Sequence, residues 1–348
     1  MSLNFKQMTL YYAPVVFCYL LGRCMSTQNI SQFFSRFFQL GFTVLFSFGI
    51  LWWPFFFYPY KNDITQLTSI QSALHVLRRL FPFQRGLFEG KVSNLWCALS
   101  TKPFSIRTRI PTHIQPILAL MLTLILLIPS CIKIFQSGIK YEKDCLPHST
   151  ERSKESKQTK DTNHIENQHL KLLLWATSAS ALSFFLASFQ VHEKSILMAL
   201  SPLSLLFILN PYFVSWFSTI TTWTLWPLLT IDKLRLPYIY MHIIFLTFFG
   251  IFWMWSITDQ AIDQRSNGII SLLTNKLVYP LSIILMLSLH GLELFYEPPK
   301  RLPDLFPVLW SIVGCGLFCW SWIFCSNGLI EEFNELISMM KVRGKKND

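Results

Sequence analysis

Long uncharged apolar runs recur through almost the whole chain, and they limit its possible folds more than any other feature. A helix needs about 20 mainly apolar residues to cross the ~30 Å hydrocarbon layer of a bilayer, and about nine stretches meet or approach that length. They are residues 8–21, 34–57, 114–135, 171–188, 196–209, 213–229, 238–255, 277–295 and 305–330. Their apolar residues are continuous instead of alternating, which excludes a transmembrane β-barrel. The 348 residues are 52% hydrophobic and only 14% charged, as a chain with most of its surface in lipid requires. The expected fold is all-α: a polytopic membrane protein with about nine transmembrane helices in a single transmembrane domain. The first and fifth segments are short and are predicted to be tilted, broken or partly re-entrant, which surrounding protein can accommodate by satisfying the freed backbone groups.

A formal net charge of +11 raises the question of nucleic acid. No RNA- or DNA-binding module is recognisable, and basic loops beside lipid phosphates account for the charge, so no nucleic-acid partner is expected. The eight cysteines are scattered. Cys18, Cys131, Cys315, Cys319 and Cys325 lie in or beside apolar segments as small hydrophobes, and no disulfide framework or CxxC metal spacing emerges. The first 21 residues lack the basic flank and small-residue cleavage site of a signal peptide. The tail ends Lys345-Lys346-Asn347-Asp348. A KKxx ending resembles the receptor-read retrieval signal of endoplasmic-reticulum membrane proteins, which requires a cytosolic C-terminus. Counting back from there gives a luminal amphipathic loop at 58–113, a flexible cytosolic loop at 136–170, a luminal turn around His192 and a cytosolic tail at 331–348. The glycosylation sequon Asn29-Ile30-Ser31 then falls in the cytosol.

Two polar stretches carry candidate chemistry. In LHVLRRLFPFQRGLFEGKVSNLWC (74–97), Arg78, Arg79, Arg85 and Lys91 alternate with Leu, Phe and Trp. Guanidinium forks suit phosphate oxygens, and the same pattern suits an amphipathic interfacial helix that only anchors the loop. In SFQVHEKSIL (188–197), His192, Glu193 and Lys194 stand between two apolar segments. Ionisable groups at membrane depth face a cavity or pair with one another, whereas at the water interface they cost little. A zinc HExxH site is excluded because Ile196 occupies the second histidine position. His290 and Glu293 share a helical face, as snorkelling side chains near a helix end also would. No Gly-rich phosphate loop, nucleophile elbow or dinucleotide fingerprint is present.

Four ordered blocks, LNFKQM with Tyr11-Tyr12-Ala13-Pro14, RLFPFQRGLFEGKVSNLWC, SFQVHEKSIL and PPKRLPDLF, are spread over nearly the whole chain. Together they resemble the dolichyl-phosphate-glucose-dependent α-1,3-glucosyltransferases of N-glycan precursor assembly, and KVSNLWC and FQVHEKS resemble the members that add the first glucose. The resemblance implies the C-terminal portion of a GT-C-type glycosyltransferase in the endoplasmic-reticulum membrane, among its lipids. It also implies an inverting transfer from dolichyl phosphate glucose to the Man9GlcNAc2 oligosaccharide on dolichyl pyrophosphate, with no cofactor and no metal. On that basis His192 and Lys194 are expected near the donor phosphate with Glu193 orienting or pairing with them. Arg78, Arg79 and Arg85 are expected on lipid phosphates, and Trp96 in sugar or apolar contact. Gly90 departs from the acidic residue the family usually has after Glu89. The family's presumed catalytic aspartate lies in a luminal loop upstream of the part corresponding to Met1, so the base is not expected within this chain. The second-glucose branch of the family and a non-catalytic or transport protein for lipid-linked sugars are the alternative readings.

Overall fold

A computed structural model of the chain describes residues 7–27, 29–57, 92–102, 104–145, 155–189, 191–257 and 277–347, with 61–62, 65–66, 71, 74 and 76 besides. These are helical almost throughout. A 3-10 turn, Gln7–Tyr12, leads into α1 (Ala13–Met25), followed by α2 (Ile30–Phe57). The short helices α3 (Leu95–Leu99) and α4 (Ile106–Arg109) precede the long α5 (Gln115–Cys145) and α6 (Glu155–Ala187). A second 3-10 turn, Glu193–Ile196, opens onto α7 (Leu197–Ser204), α8 (Pro211–Thr224) and α9 (Trp226–Ile231). Last come α10 (Arg235–Ile257), α11 (Tyr279–Phe295) and α12 (Leu305–Asn347). The one departure among the described residues is a two-residue antiparallel ladder, β1 (Lys61–Asn62) against β2 (Thr65–Gln66). Prolines occupy the first or second position of α1, α8, α9 and α11, where the absent N–H costs no hydrogen bond.

Among the described residues five helices are long and apolar enough to cross a membrane: Met8–Met25, Ile30–Pro54, Gln115–Lys140, Ile165–Ala187 and Leu305–Lys341. The apolar α11 is shorter, at 17 residues. The expected count of about nine departs most clearly at its fifth and sixth segments. There α7 has eight residues and α8 fourteen, about 12 and 21 Å of helix against a layer of ~30 Å. The break falls at Asn210-Pro211, since a residue preceding proline is driven out of helical geometry. Phe213, beside that break, packs against Trp175 of α6 and Phe324 of α12, whereas Trp223 at the other end of α8 stacks on Trp310 near the start of α12. The two short helices are therefore arms of a broken hairpin that enters and leaves at the same end of the bundle. Such a pair leaves the sidedness of all later helices unchanged.

The centre of the bundle is α6. Most of its Ile165–Ala187 stretch is buried, whereas no residue in the corresponding stretch of α2 is. Its run TSASALS (177–183) keeps side chains small enough for close helix approach, and the hydroxyls of Thr177, Ser178 and Ser183 return to carbonyls of the preceding turn, which satisfies them in apolar surroundings. Ser183 also accepts from the Trp322 indole of α12 at 2.9 Å. At Gly22, where α1 crosses α5 beside Gly138, a side chain would run into the Phe135 carbonyl.

The stretch 136–170, expected to be a flexible loop, is helical over 136–145 and 155–170. The expected tail likewise continues α12 to Asn347. Neither piece has enough apolar surface alone, but carried on three neighbouring helices they share an interior of Ile134, Ile165, Leu329, Phe333 and Leu336. Ser137 bonds His169 at 2.7 Å, Gln168 donates to Glu332, and the ammonium groups of Lys133 and Lys140 lie 4.7 and 4.9 Å from the Phe333 ring centre. This His169 end of the bundle is opposite the end that carries His192.

Candidate functional site

At the His192 end the chain leaves α6 at Ala187 and turns before α7. His192 is extended (φ −96°, ψ 147°), and its carbonyl accepts from the Ser195 N–H at 2.9 Å. That turn divides the segment in two. Ser195 and Ile196 are fully buried, while the His192 side chain is 57% exposed and that of Glu193 25%. Lys194 is exposed. His192 Nδ1 lies 3.0 Å from Glu193 Oε2, so Glu193 fixes one ring nitrogen and Nε2 is the ring's remaining polar atom.

The N-terminal 3-10 turn holds this arrangement from beneath. The Tyr11 ring stacks on Phe184 (4.9 Å, 4° between planes), and its carbonyl accepts from Ser180. Tyr12 donates to the Met198 carbonyl, and Ser195 Oγ reaches Met8 Sδ at 3.7 Å. The YYAP block thus positions the turn at its far side in sequence.

The segment 92–99 closes the other flank. Asn94 caps α3, its Oδ1 accepting from the Cys97 N–H at 2.9 Å. Trp96 is 5% exposed and donates its indole N–H to the Ala187 carbonyl at 2.7 Å, while its ring packs with Ala119, Leu122 and Phe189. Its ring is in apolar contact and its N–H is bonded within the protein. Ser311 donates to the Val92 carbonyl at 2.5 Å. Gly314 leaves room for this segment, because a Cβ there would stand 2.5 Å from Ser93 Oγ and 2.6 Å from the Thr224 methyl. Burial pushes the Cys97 thiol above the ordinary range, and the nearby Glu193 carboxylate adds to the rise. The 92–99 segment and the His192 turn are therefore neighbours. Arg78, Arg79 and Arg85 lie outside the described residues.

A second constellation at this end was only half visible in the sequence. His290 and Glu293 share a face of α11, as their spacing predicts, but that face is covered. Tyr238 OH bonds His290 Nε2 at 3.2 Å and Trp226 donates to Glu293 Oε2 at 2.6 Å. Trp226 and Trp310 both stand edge-on to the imidazole, at 4.9 and 5.2 Å between ring centres, and the Arg235 guanidinium lies 5.8 Å from the Trp226 ring centre. The signals that could have found it are Trp223 and Trp226 at i, i+3 and Tyr238 and His242 at i, i+4. Among the described residues no three His, Cys, Asp or Glu side chains gather as a metal-ligand set.

The two constellations differ in what they offer a ligand. The His192 turn presents an imidazole and an ammonium to the outside, groups suited to an anionic oxygen, whereas in the His290 cluster His290 Nε2 and Glu293 Oε2 are bonded to Tyr238 and Trp226.

Known proteins are similar to this chain in sequence. The chain is 33% identical over 327 residues to the mouse dolichyl pyrophosphate Man9GlcNAc2 alpha-1,3-glucosyltransferase, covering 90% of this chain and 56% of the relative. The chicken protein of that name is 35% identical over 327 residues with the same coverages. The fission-yeast Schizosaccharomyces pombe protein, described as a probable enzyme of that name, is 33% identical over 313 residues, covering 89% of this chain and 50% of the relative. The chain spans about half the length of these relatives. The pattern of one glycosyltransferase family matches residues 1–325, and the chain belongs to that family, the ALG6, ALG8 glycosyltransferases.

Proposed function

We propose that this chain forms the donor-phosphate side of a GT-C-type enzyme in the endoplasmic-reticulum membrane, with its His192 end in the lumen and the end of α12 in the cytosol. The enzyme transfers glucose from dolichyl phosphate glucose to Man9GlcNAc2 on dolichyl pyrophosphate and forms an α-1,3 linkage. The observation that carries this reading is the His192 turn: ionisable heads open to the outside, on a backbone held by buried Ser195 and Ile196. The relatives' names support the acceptor and the linkage.

A β-linked donor giving an α-linked product requires inversion. A mannose hydroxyl attacks the anomeric carbon from the face opposite the phosphate, a base takes the hydroxyl proton, and the glucosyl–oxygen bond to dolichyl phosphate breaks. Lys194 and the imidazole of His192 stabilise the charge that accumulates on the departing phosphate, and Glu193 holds the ring through Nδ1. Glu193 is engaged with His192 and Glu293 with Trp226, so the base is assigned to neither. Arg78, Arg79 and Arg85 serve lipid phosphates in this scheme.

The test follows labelled glucose into lipid-linked Man9GlcNAc2 in membranes that contain the protein, and separately follows movement of the lipid-linked sugar across vesicles. Transfer that drops in Lys194→Gln supports the proposal. Movement without transfer replaces it with a transport function. Sidedness has its own test. Asn29 joins α1 to α2 at the His169 end, so a glycan found on Asn29 reverses the orientation, and a sequon engineered into the 296–304 connection is expected to be glycosylated.

A further inference from the structure

One tyrosine connects the N-terminal 3-10 turn to both ends of the His192 turn. Ser180, Phe184 and Ser188 recur at intervals of four residues along α6 and the turn that ends it, so they share one face. Tyr11 meets all three. Its carbonyl accepts from Ser180, its ring stacks on Phe184, and its hydroxyl is hydrogen-bonded to Ser188. The same hydroxyl is hydrogen-bonded to Ser195, and a phenol, both donor and acceptor, serves two partners at once. Ser188 and Ser195 bracket His192, Glu193 and Lys194. The buried Ser195 also donates its N–H to the His192 carbonyl, so two hydrogen bonds separate the Tyr11 hydroxyl from the His192 backbone. Tyr12 donates to the Met198 carbonyl in the first turn of α7, which fixes the far side of the turn independently of Tyr11.

We propose that Tyr11 is a positioning residue for glucose transfer: its hydroxyl bridges Ser188 to Ser195 and so fixes where the His192 and Lys194 heads stand. The proposal rests on the donor-phosphate reading of that turn. His192 is mostly exposed, so its placement comes from the backbone beneath it more than from packing around its ring. Stabilising a departing phosphate depends on donors that are already in place, and a misplacement of about 1 Å costs up to about 10² in rate. Loss of the bridge therefore acts on turnover more than on donor affinity.

The test uses Tyr11→Phe in an enzyme supplied with its catalytic base, because phenylalanine keeps the ring on Phe184 and removes only the hydroxyl. The expected result is a kcat lowered about tenfold with KM for dolichyl phosphate glucose within about twofold. Amide exchange over 191–196 is expected to quicken about fivefold, as loss of an ordinary hydrogen bond allows, with exchange over 198–204 unchanged. Ser188→Ala breaks the same bridge from its other end and is expected to behave alike, which keeps the proposal testable if Tyr11→Phe does not fold. Ser188→Thr keeps a hydroxyl and is expected to hold kcat near wild type. Unchanged exchange over 191–196 in the folded Tyr11→Phe and Ser188→Ala variants overturns the proposal and leaves the donor-phosphate reading standing. A Ser188→Thr enzyme as slow as Ser188→Ala overturns it too. Faster exchange with unchanged transfer overturns the donor-phosphate reading, and with it the role of Tyr11 in transfer.

Discussion

The bundle end that carries the candidate site holds two histidine–glutamate pairs built from the same side chains for opposite purposes. His192 and Glu193 are consecutive, on a turn whose backbone is buried and whose heads are open. His290 and Glu293 are one helical turn apart on α11, and one polar atom of each, His290 Nε2 and Glu293 Oε2, is met by an aromatic partner from elsewhere, Tyr238 or Trp226. The first pair turns its heads to the outside and the second is partnered within the bundle. Residue type therefore says little about role at this end, and the surroundings of each head say most of it. The 92–99 segment joins the two, touching α6 through Trp96 and α12 through Val92 and Ser93.

The largest expected effect is on chemistry at the open pair. In an enzyme supplied with its catalytic base, His192→Ala is expected to lower glucose transfer by about 10²–10³, the usual consequence of losing a donor aimed at developing charge. Thermal stability should stay within about 0.5 kcal/mol, because the side chain is mostly outside the core. Transfer rate and membrane abundance measured on the same preparation separate the two quantities. A parallel fall in both would make the turn structural and erase the contrast with the His290 pair.

Next is the joint between the pairs. Gly314→Leu places a side chain where Ser93 and Thr224 already stand, and overpacking of this kind costs about 1–3 kcal/mol, occasionally more. The expected result is lower abundance and a lower unfolding temperature, with transfer falling further because the 92–99 segment is displaced. Wild-type stability in Gly314→Leu would mean that the segment does not dock on α12. Trp96→Phe is a milder version. It keeps the packing on Ala119 and Leu122 but leaves the Ala187 carbonyl without its donor, for about 1–2 kcal/mol.

The lipid-spanning helices were legible because unbroken apolar length is a local property. The helical stretches 136–145 and 155–170 were not, since their stabilising partners are distant in sequence: Ser137 with His169, and Gln168 with Glu332. The broken α7–α8 hairpin was half legible, through the short length of the fifth segment. At the site, the His192 turn stood out because three polar groups interrupt two apolar runs. The His290 cluster did not, because Trp226 and Tyr238 read as ordinary apolar or interfacial residues until the fold brings them to Glu293 and His290, 67 and 52 positions away.

The smallest expected effect sharpens the comparison most. In Glu293→Gln the side-chain oxygen still accepts from the Trp226 indole, and only the charge on that hydrogen bond is lost. A charge-assisted bond is roughly twice as strong as a neutral one, so the change should cost about 0.5–1 kcal/mol of stability and leave glucose transfer close to wild type. The same substitution in a general base removes proton acceptance altogether and costs about 10²–10⁴ in rate. The two roles thus differ by orders of magnitude in one measurement, the initial rate of labelled glucose transfer at saturating donor. A near-normal rate with a slightly lowered unfolding temperature keeps Glu293 as the partner that orients Trp226. A collapse in rate in a folded protein would make the His290 cluster catalytic, and would move the search for the base from outside the described residues to α11.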